Sequence, residues 1–239
     1  VLSTTSSVAG DRRIYFQSYV DYMNKFGNHN VSGMLLWNID QYDNNAPGNL
    51  VASLPRRKMG FAGRLSYDYD NRYMFEVNAG YNGSENFAKG HKWGFFPSVA
   101  VGWNVSQENF FEPLKDVISN LKLRASYGLV GNDQLLDSSG GLIRFIYMSD
   151  ITLQSENAGF TTGDKQQITL NGPVYTRYQN NDLTWEVGEK LNVGFDMQLF
   201  NSLNVTVDAF RDIRRDIFQQ RYSIPNYLGT ASTAVYGNL

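Results

Sequence analysis

The sequence contains no cysteine and only two histidines, His29 and His91. The absence of cysteine excludes a disulfide framework, a thiolate metal site and a cysteine nucleophile. Both histidines fall in predicted connections, far apart in the sequence, where a solvated imidazole is the ordinary case. Neither a metal site nor a histidine-based catalytic centre is therefore predicted.

Long apolar runs and an excess of charge are also missing. No run of about 18 apolar residues is present, so the sequence encodes no transmembrane helix. The formal net charge of −2 gives no electrostatic case for nucleic acid as a partner.

Asp68 and Asp70 resemble a carboxylate pair, but they flank a turn, where aspartate bonds to the backbone. Because no glycine-rich phosphate loop is present either, we predict no enzyme and no cofactor.

The residues that are present favour β structure. Charged residues make up 18% of the chain, below the usual quarter, whereas aromatic residues reach 14% and glycine occurs 22 times. Aromatic side chains suit a pleated surface, and glycine suits turns and bulges. In residues 72–82 the chain alternates between two faces, Tyr73, Phe75, Val77, Ala79 and Tyr81 against Met74, Glu76, Asn78 and Gly80. This period of two is typical of a β-strand.

Eight segments carry this pattern, and several hold it for about 9–14 residues. They span about 12–23, 31–43, 57–69, 72–82, 95–106, 120–130, 185–199 and 203–219. Ordinary strands average about 5–6 residues, whereas a membrane-spanning strand needs about 9–11. A soluble sandwich alternates as well, with its apolar face turned inward. On the pattern alone, a soluble all-β domain and a transmembrane barrel stay equally open.

The lengths of the connections fit a barrel but do not decide for it. The predicted short turns are Asp70-Asn71 and Asn201-Ser202, and the long connections are 44–56, 83–94 and 131–184. Outer-membrane barrels have short periplasmic turns and longer extracellular loops. The connection at 107–118 departs from this rule, because it is not tight and its sequence fits a helical turn.

Three stretches resemble the SusC/RagA family of TonB-dependent outer-membrane transporters. They are GRLSYDYDNRYMFEVNAGYNGSENF at 63–87, KWGFFPSVAVGWNVSQENFF at 92–111 and LKLRASYGLVGN at 121–132. The segment WEVGEKLNVGFDMQLF at 185–200 is similar to the same family. Because the stretches occur in the family's order and nearly adjacent, the resemblance covers about residues 12–220. It is weakest before residue 57 and within 131–184.

The resemblance implies an all-β fold, a transmembrane antiparallel β-barrel of 22 strands closed around an N-terminal plug. At these strand lengths, residues 1–239 have room for roughly eight strands, so we expect a mid-barrel portion of a longer protein, without the plug. The connection 131–184 is then expected to be a long extracellular loop. Its composition at Ser138–Gly141 and Thr161–Asp164 favours irregular structure. The Tyr73 face of 72–82 is expected to meet lipid and the Met74 face to meet the lumen.

Two sets of residues are candidate functional positions. The charged residues predicted to face the lumen are Arg64, Asp68, Glu76, Lys122, Arg124, Glu186, Lys190 and Asp196. Because both signs are interleaved, they imply no single-sign ion filter, and either contact with the plug or simple hydration would explain them. The aromatic residues predicted to lie in loops and bind a sugar ring or a peptide side chain are Trp93, Phe95, Phe96 and Tyr147. For Trp93 an interfacial aromatic girdle is the favoured alternative.

The resemblance implies energised import of a glycan or an oligopeptide across the outer membrane of a Gram-negative, Bacteroidetes-like cell. The implied partners are a SusD-like surface lipoprotein and the TonB complex, which would act through an N-terminal region outside this chain. The basic cluster Arg56–Lys58 fits either contact with lipopolysaccharide phosphates or a solvated strand end. Two alternatives stay open: a passive outer-membrane channel or secretion barrel, and a soluble all-β adhesin or carbohydrate-binding module.

Overall fold

The computed structural model describes residues 10–45, 50–136, 140–165, 167–221 and 235–239. The fold is all-β, as the sequence predicts. Among the described residues, no helix has both the length and the apolar character needed to cross a membrane. The chain divides into two compact units. The first comprises residues 1–84, 93–132 and 187–215, and the second comprises 85–92, 133–186 and 216–239.

The strands follow in chain order, with long strands in the first unit and mostly short ones in the second. They are β1 (Asp11–Phe26), β2 (His29–Asn44), β3 (Arg56–Tyr69), β4 (Tyr73–Ser84), β5 (Trp93–Asn104), β6 (Ile118–Asn132), β7 (Leu135–Leu136), β8 (Leu142–Ile143), β9 (Asp150–Thr162), β10 (Ile168–Arg177), β11 (Glu186–Leu199), β12 (Leu203–Arg215), β13 (Phe218–Gln220) and β14 (Tyr236–Asn238). The helical elements are α1 (Leu50–Ser53) and two 3-10 helices, Val105–Gln107 and Asn109–Leu114.

Eight of these strands form one sheet in the order β1-β2-β3-β4-β5-β6-β11-β12. Antiparallel pairing is continuous over long stretches, and β1 and β2 pair along all 16 residues of each strand. The strands correspond to the eight alternating segments of the sequence, with small differences at their ends. Residues 105–107 form a 3-10 helix instead of the end of β5, and residues 218–220 form the separate strand β13.

The short connections of the sheet all lie at one end, called the turn end here. Asp70 and Asn71 both adopt positive φ, at 53° and 54°, and so form the tight turn that the right-handed twist of a hairpin favours. Backbone hydrogen bonds tie neighbouring connections together, from Asp70 N–H to Asn28 O at 2.8 Å and from Phe200 N–H to Val117 O at 2.9 Å. The connection 105–117 contains the 3-10 helices, which agrees with the predicted helical turn. The opposite end of the sheet carries the long connections and is called the loop end.

The second unit has its own small hydrophobic core. Its buried residues are Phe87, Leu135, Ile143, Ile146, Leu183 and Tyr236, and Trp185 and Phe218 pack against them. Asparagine side chains join its segments. Asn238 accepts the N–H of Thr184 at 2.9 Å and donates to the carbonyl of Asp216 at 2.6 Å. Asn180 donates to the carbonyl of Tyr236 at 2.9 Å.

The prediction that 131–184 is irregular is wrong for part of this segment, although Gly140, Gly141, Gly163 and Asp164 do lie outside the strands. Residues 150–162 and 168–177 form an antiparallel hairpin, in which Thr161 and Thr162 end β9. Ser138 and Ser139, which the same prediction included, lie outside the described residues. The composition suggested a loop because its threonines and glycines also suit turns, whereas threonine is β-branched and pairs well across strands.

Candidate functional site

One face of the eight-stranded sheet is apolar and exposed. Its aliphatic side chains include Leu35, Leu65 and Val193, which are 71%, 52% and 51% exposed. Cross-strand pairs continue this surface from strand to strand, as between Leu65 and Val77. Soluble monomers rarely expose contiguous apolar patches beyond a few hundred Å². This face therefore needs an apolar environment.

Aromatic residues lie in two rows near the ends of the apolar face. At the turn end, Tyr69 stacks on Tyr73 with ring centroids 6.4 Å apart, and Trp103 lies directly opposite Tyr73. Towards the loop end, Trp93 stacks on Tyr81 at 4.7 Å. The eight-residue step from Tyr73 to Tyr81 spans about 26 Å along β4, at about 3.3 Å per residue. At a strand tilt of about 40° this is about 20 Å of membrane height, close to the apolar band of about 25 Å in transmembrane barrels.

Glu108 accepts hydrogen bonds from two residues of the aromatic row at the turn end. Its Oε1 accepts a hydrogen bond from the Tyr73 hydroxyl at 2.5 Å and one from Trp103 Nε1–H at 3.2 Å. The hydrogen bond from Tyr73, followed by that from Trp103, holds the pKa of Glu108 below its ordinary value. Its Oε2 lies 3.8 Å from the guanidinium of Arg72. A single carboxylate thus joins the connection 105–117 to the ends of β4 and β5.

The opposite, polar face carries side chains that bond across the strands. Arg64 Nε donates to Asn78 Oδ1 at 2.9 Å, and Asn78 Nδ2 donates to Glu76 Oε1 at 2.8 Å. Ser66 also donates to Glu76, at 3.0 Å. Towards the turn end, Asp68 accepts a hydrogen bond from Asn30 at 2.7 Å. Three of the predicted lumen-facing residues, Arg64, Asp68 and Glu76, therefore share one face.

Arg124 of β6 is the centre of a second group on this face. Its Nε lies 3.3 Å from Asp196 Oδ2, and its Nη2 lies 2.9 Å from Asp208 Oδ2. The hydroxyl of Thr206 donates a hydrogen bond to Asp196 Oδ1 at 3.0 Å. The side chains of Arg124, Asp196 and Asp208 are 39%, 41% and 36% exposed, so each pair contributes only about 0.2–1 kcal/mol in water. Lys190 pairs with Asp212 at 3.5 Å further towards the loop end.

Four predicted residues line one hollow of the polar face, near the turn end. The hollow has a volume of about 430 Å³, and Asp68, Glu76, Lys122 and Arg124 contribute to its lining. Its apolar lining includes Met23 and Met74. Glu186 is not part of this group, because it belongs to the second unit.

The four predicted substrate-binding aromatics do not form one cluster. Trp93, Phe95 and Phe96 are strand residues of β5, so their prediction as loop residues is wrong. Strand alternation places Trp93 and Phe95 on the apolar face, with Tyr81 opposite Phe95, and Phe96 on the polar face. Tyr147 belongs to the second unit, where burial raises the pKa of its hydroxyl.

The basic cluster Arg56–Lys58 is divided between the two faces in the same way. Arg56 and Lys58 share the polar face, whereas Arg57 lies on the apolar face beyond the aromatic rows, opposite Gln41. Of the three, only Arg57 therefore shares a face with the aromatic rows. Within the described parts of the chain, no group of three or more histidine, cysteine, aspartate or glutamate side chains could hold a metal ion.

Two asparagines of the polar face were not recognised from the sequence. Asn38, Gly60 and Asn82 form one cross-strand row in β2, β3 and β4. The Oδ1 atoms of Asn38 and Asn82 lie 2.6 and 2.5 Å from the position that a Cβ would occupy at Gly60. Only glycine leaves room for both carboxamides, and the asparagine–glycine–asparagine row appears only once the strands are placed in register.

Comparison with known proteins gives a consistent result. Residues 2–239 match the family model described as TonB dependent receptor-like, beta-barrel. The TonB-dependent receptor P3 of Formosa agariphila is 29% identical over 241 residues, covering 90% of this chain and 22% of that protein. The TonB-dependent receptor SusC of Bacteroides thetaiotaomicron is 33% identical over 143 residues, covering 60% of this chain and 13% of that protein. The chain thus spans about a fifth or less of these relatives.

Solved structures support the same fold. The RagAB peptide importer in its 'open-open' state matches 97% of this chain and 26% of its own chain, with a TM-score of 0.72 and 18% identity. The siderophore receptor PirA from Pseudomonas aeruginosa matches 96% of this chain and 37% of its own, with a TM-score of 0.53 and 10% identity. At these identities the likeness concerns the fold alone.

Proposed function

Because the chain belongs to the TonB-dependent receptor-like β-barrel family, we propose that the whole protein imports a glycan or an oligopeptide across the outer membrane. This chain supplies eight neighbouring strands of the barrel wall. The proposed role is transport and not catalysis. The peptide class comes from the RagAB structure, which is described as a peptide importer, and the glycan class from the resemblance of the sequence to the SusC/RagA family.

The observation that carries this proposal is the two-faced sheet. Its apolar face has aromatic rows spaced for a bilayer, and its polar face has charged groups that bond to one another. In a barrel, the first face meets lipid and the second lines the interior. The turn end is then periplasmic, and the connections at the other end of the sheet, among them 133–185, are extracellular.

The charged residues of the polar face would hold a plug in the barrel. The side chains of the ion pairs Arg124–Asp196 and Arg64–Glu76 are about half exposed. Their carboxylate oxygen atoms can therefore accept further hydrogen bonds from a plug. TonB would act on that plug through a region outside this chain. Individually weak, hydrated pairs suit this task, because a plug held by them can be pulled away without breaking a buried ion pair.

We further propose that the β9–β10 hairpin docks a SusD-like surface lipoprotein. The hairpin pairs Phe160 with Leu170, and next to them Ile168 is 55% exposed. Phe160 and Leu170 are 61% and 44% exposed themselves. An isolated two-stranded ribbon is marginal in water, so a partner that covers these side chains would stabilise it. The paired name RagAB of the similar importer agrees with a two-component assembly.

A pull-down of the tagged full-length receptor in mild detergent tests the paired importer. The wild type is expected to retain a lipoprotein in stoichiometric amount, and Leu170→Asp is expected to lose most of it, because a charge would have to be desolvated in the interface. Thr169→Asp is the matched control, since Thr169 pairs with Thr161 on the other side of the ribbon. Recovery of the wild-type receptor alone, or equal retention by both variants, would count against the docking site.

A further inference from the structure

The connection 105–117 differs from the other connections described at the turn end. Those are tight turns, whereas this one is longer and contains both 3-10 helices. It also exposes three large apolar side chains close together in the sequence, since Phe110, Leu114 and Val117 are 64%, 50% and 47% exposed. Exposed apolar residues that are grouped in this way, and not scattered singly, indicate a surface that meets a partner.

The connection is a fixed part of the fold. Phe111, which lies between the exposed residues, is itself buried. The hydroxyl oxygen of Ser106 lies 2.7 Å from Asn120 Oδ1, and the carbonyl oxygen of Val117 accepts the N–H of Phe200 at 2.9 Å. The exposed apolar side chains therefore stand on a segment that is held at both ends.

The chain passes from the polar face to the apolar face before the second 3-10 helix begins. The hydroxyl oxygen of Ser106 lies 2.7 Å from Oδ1 of Asn104, which is on the polar face of β5. Two residues later, Glu108 accepts the hydrogen bonds of Tyr73 and Trp103, which are on the apolar face. The helix starts at the residue that follows Glu108, and so it starts beside the aromatic row of the turn end.

The polar groups of the connection are largely satisfied within it. Four backbone N–H groups donate to carbonyls of the same connection at 3.0–3.3 Å, those of Glu108, Phe111, Lys115 and Val117. Pro113 has no N–H to satisfy, and the ammonium of Lys115 lies 2.6 Å from the carboxylate of Glu112. Because apolar surroundings penalise unpaired backbone groups and charges, this pairing lowers the cost of contact with lipid.

We propose that residues 109–117 lie in the periplasmic interface of the outer membrane, with Phe110 and Leu114 inserted among phospholipid acyl chains. The inference rests on the proposed placement of the sheet in the membrane. The partner follows from continuity, because the segment starts at the aromatic row, and such rows mark the boundary between acyl chains and headgroups. Amphipathic helices in this boundary bury their apolar side chains by about 5–10 Å. The connection thereby extends the lipid contact of the wall beyond the strands.

Spin labels on single cysteines test this in the full-length receptor, reconstituted into phosphatidylcholine vesicles. Collisions with dissolved oxygen report lipid, collisions with a nickel chelate report water, and the absence of both reports cover by protein. Labels in Phe110→Cys and Leu114→Cys are expected to give the high oxygen-to-nickel ratio of a label in Phe75→Cys on the apolar face. Lys115→Cys is the matched control within the segment, and its ratio is expected to be low, as in the tight-turn variant Ser202→Cys.

Two results would overturn the inference while Phe75→Cys still reports lipid. In one, the nickel chelate dominates at both Phe110→Cys and Leu114→Cys, and the segment is in water. In the other, neither reagent reaches these labels, and the plug or another protein covers them. A label in Phe75→Cys that reports water would contradict the proposed function instead. Both test positions are exposed, and heat-modifiable migration in gels verifies that each variant is folded.

Discussion

Val193→Arg is expected to lower the free energy of unfolding of the barrel in lipid by about 2–4 kcal/mol, the cost of an arginine near the bilayer midplane. Val193 lies near the middle of β11, on the apolar face, and is 51% exposed. Its neighbour across the strands is Ala209, which offers no acceptor for a guanidinium. Towards the turn end the arginine would have to pass Phe195 and Met197, and towards the loop end it would meet the like charge of Arg211, which lies opposite Leu191 on the same face.

The adjacent substitution Asn192→Arg is the control for this prediction. Because Asn192 points to the polar face, its arginine would enter a hydrated interior and cost little. Both variants can be compared by urea unfolding of the full-length receptor in vesicles, followed by heat-modifiable migration. Comparable losses for the two variants would mean that the facing of β11 is wrong.

Phe87→Ala is expected to unfold the second unit locally while the eight-stranded sheet stays folded. Phe87 is fully buried, and its ring lies 5.4 Å from that of Trp185. Truncating a buried phenylalanine costs about 3–5 kcal/mol. Among the residues that the structure describes, the hydrophobic core cluster of this unit has six buried members, so such a loss is a large part of what holds it together.

Protease added to intact cells measures this effect. In Phe87→Ala, cleavage within 133–186 is expected to become faster by at least tenfold, and heat-modifiable migration of the barrel should be unchanged. Leu136→Ala is the matched control, because Leu136 adjoins the buried Leu135 but is 49% exposed. If the variant resisted protease on cells but was cut in lysed membranes, the loop end would be periplasmic.

The eight-stranded sheet could be predicted because its determinants are local. A strand of a two-faced wall must alternate, and 72–82 alternates without interruption, so both the strand and its two faces follow from the order of the residues. The tight turn at Asp70-Asn71 is local in the same sense, since these residues tolerate positive φ. Several strand ends were predicted one to four residues from their observed positions, because pairing with neighbouring strands decides where a strand stops.

The second unit could not be predicted, because its core is assembled from distant segments. Phe87, Leu183 and Tyr236 meet only in the folded chain, and no period of two or of 3.6 relates them. The facing of Phe95 and Phe96 shows a different limit of the sequence pattern. Both were predicted as loop aromatics, yet once β5 is known to start at Trp93, strand alternation alone places Phe95 on the apolar face and Phe96 on the polar face.

The central claim is that one face of this sheet meets lipid and the other does not. It is tested most directly by fluorescence quenching in bilayers whose acyl chains carry bromine. Single cysteines would be introduced into the full-length receptor and labelled, at Met74, Phe75, Glu76, Val77, Asn78 and Ala79; this chain has no native cysteine that would need replacing. Strong quenching is predicted at Phe75, Val77 and Ala79 and weak quenching at the three positions between them. Uniform quenching, no quenching or the opposite alternation would contradict the account.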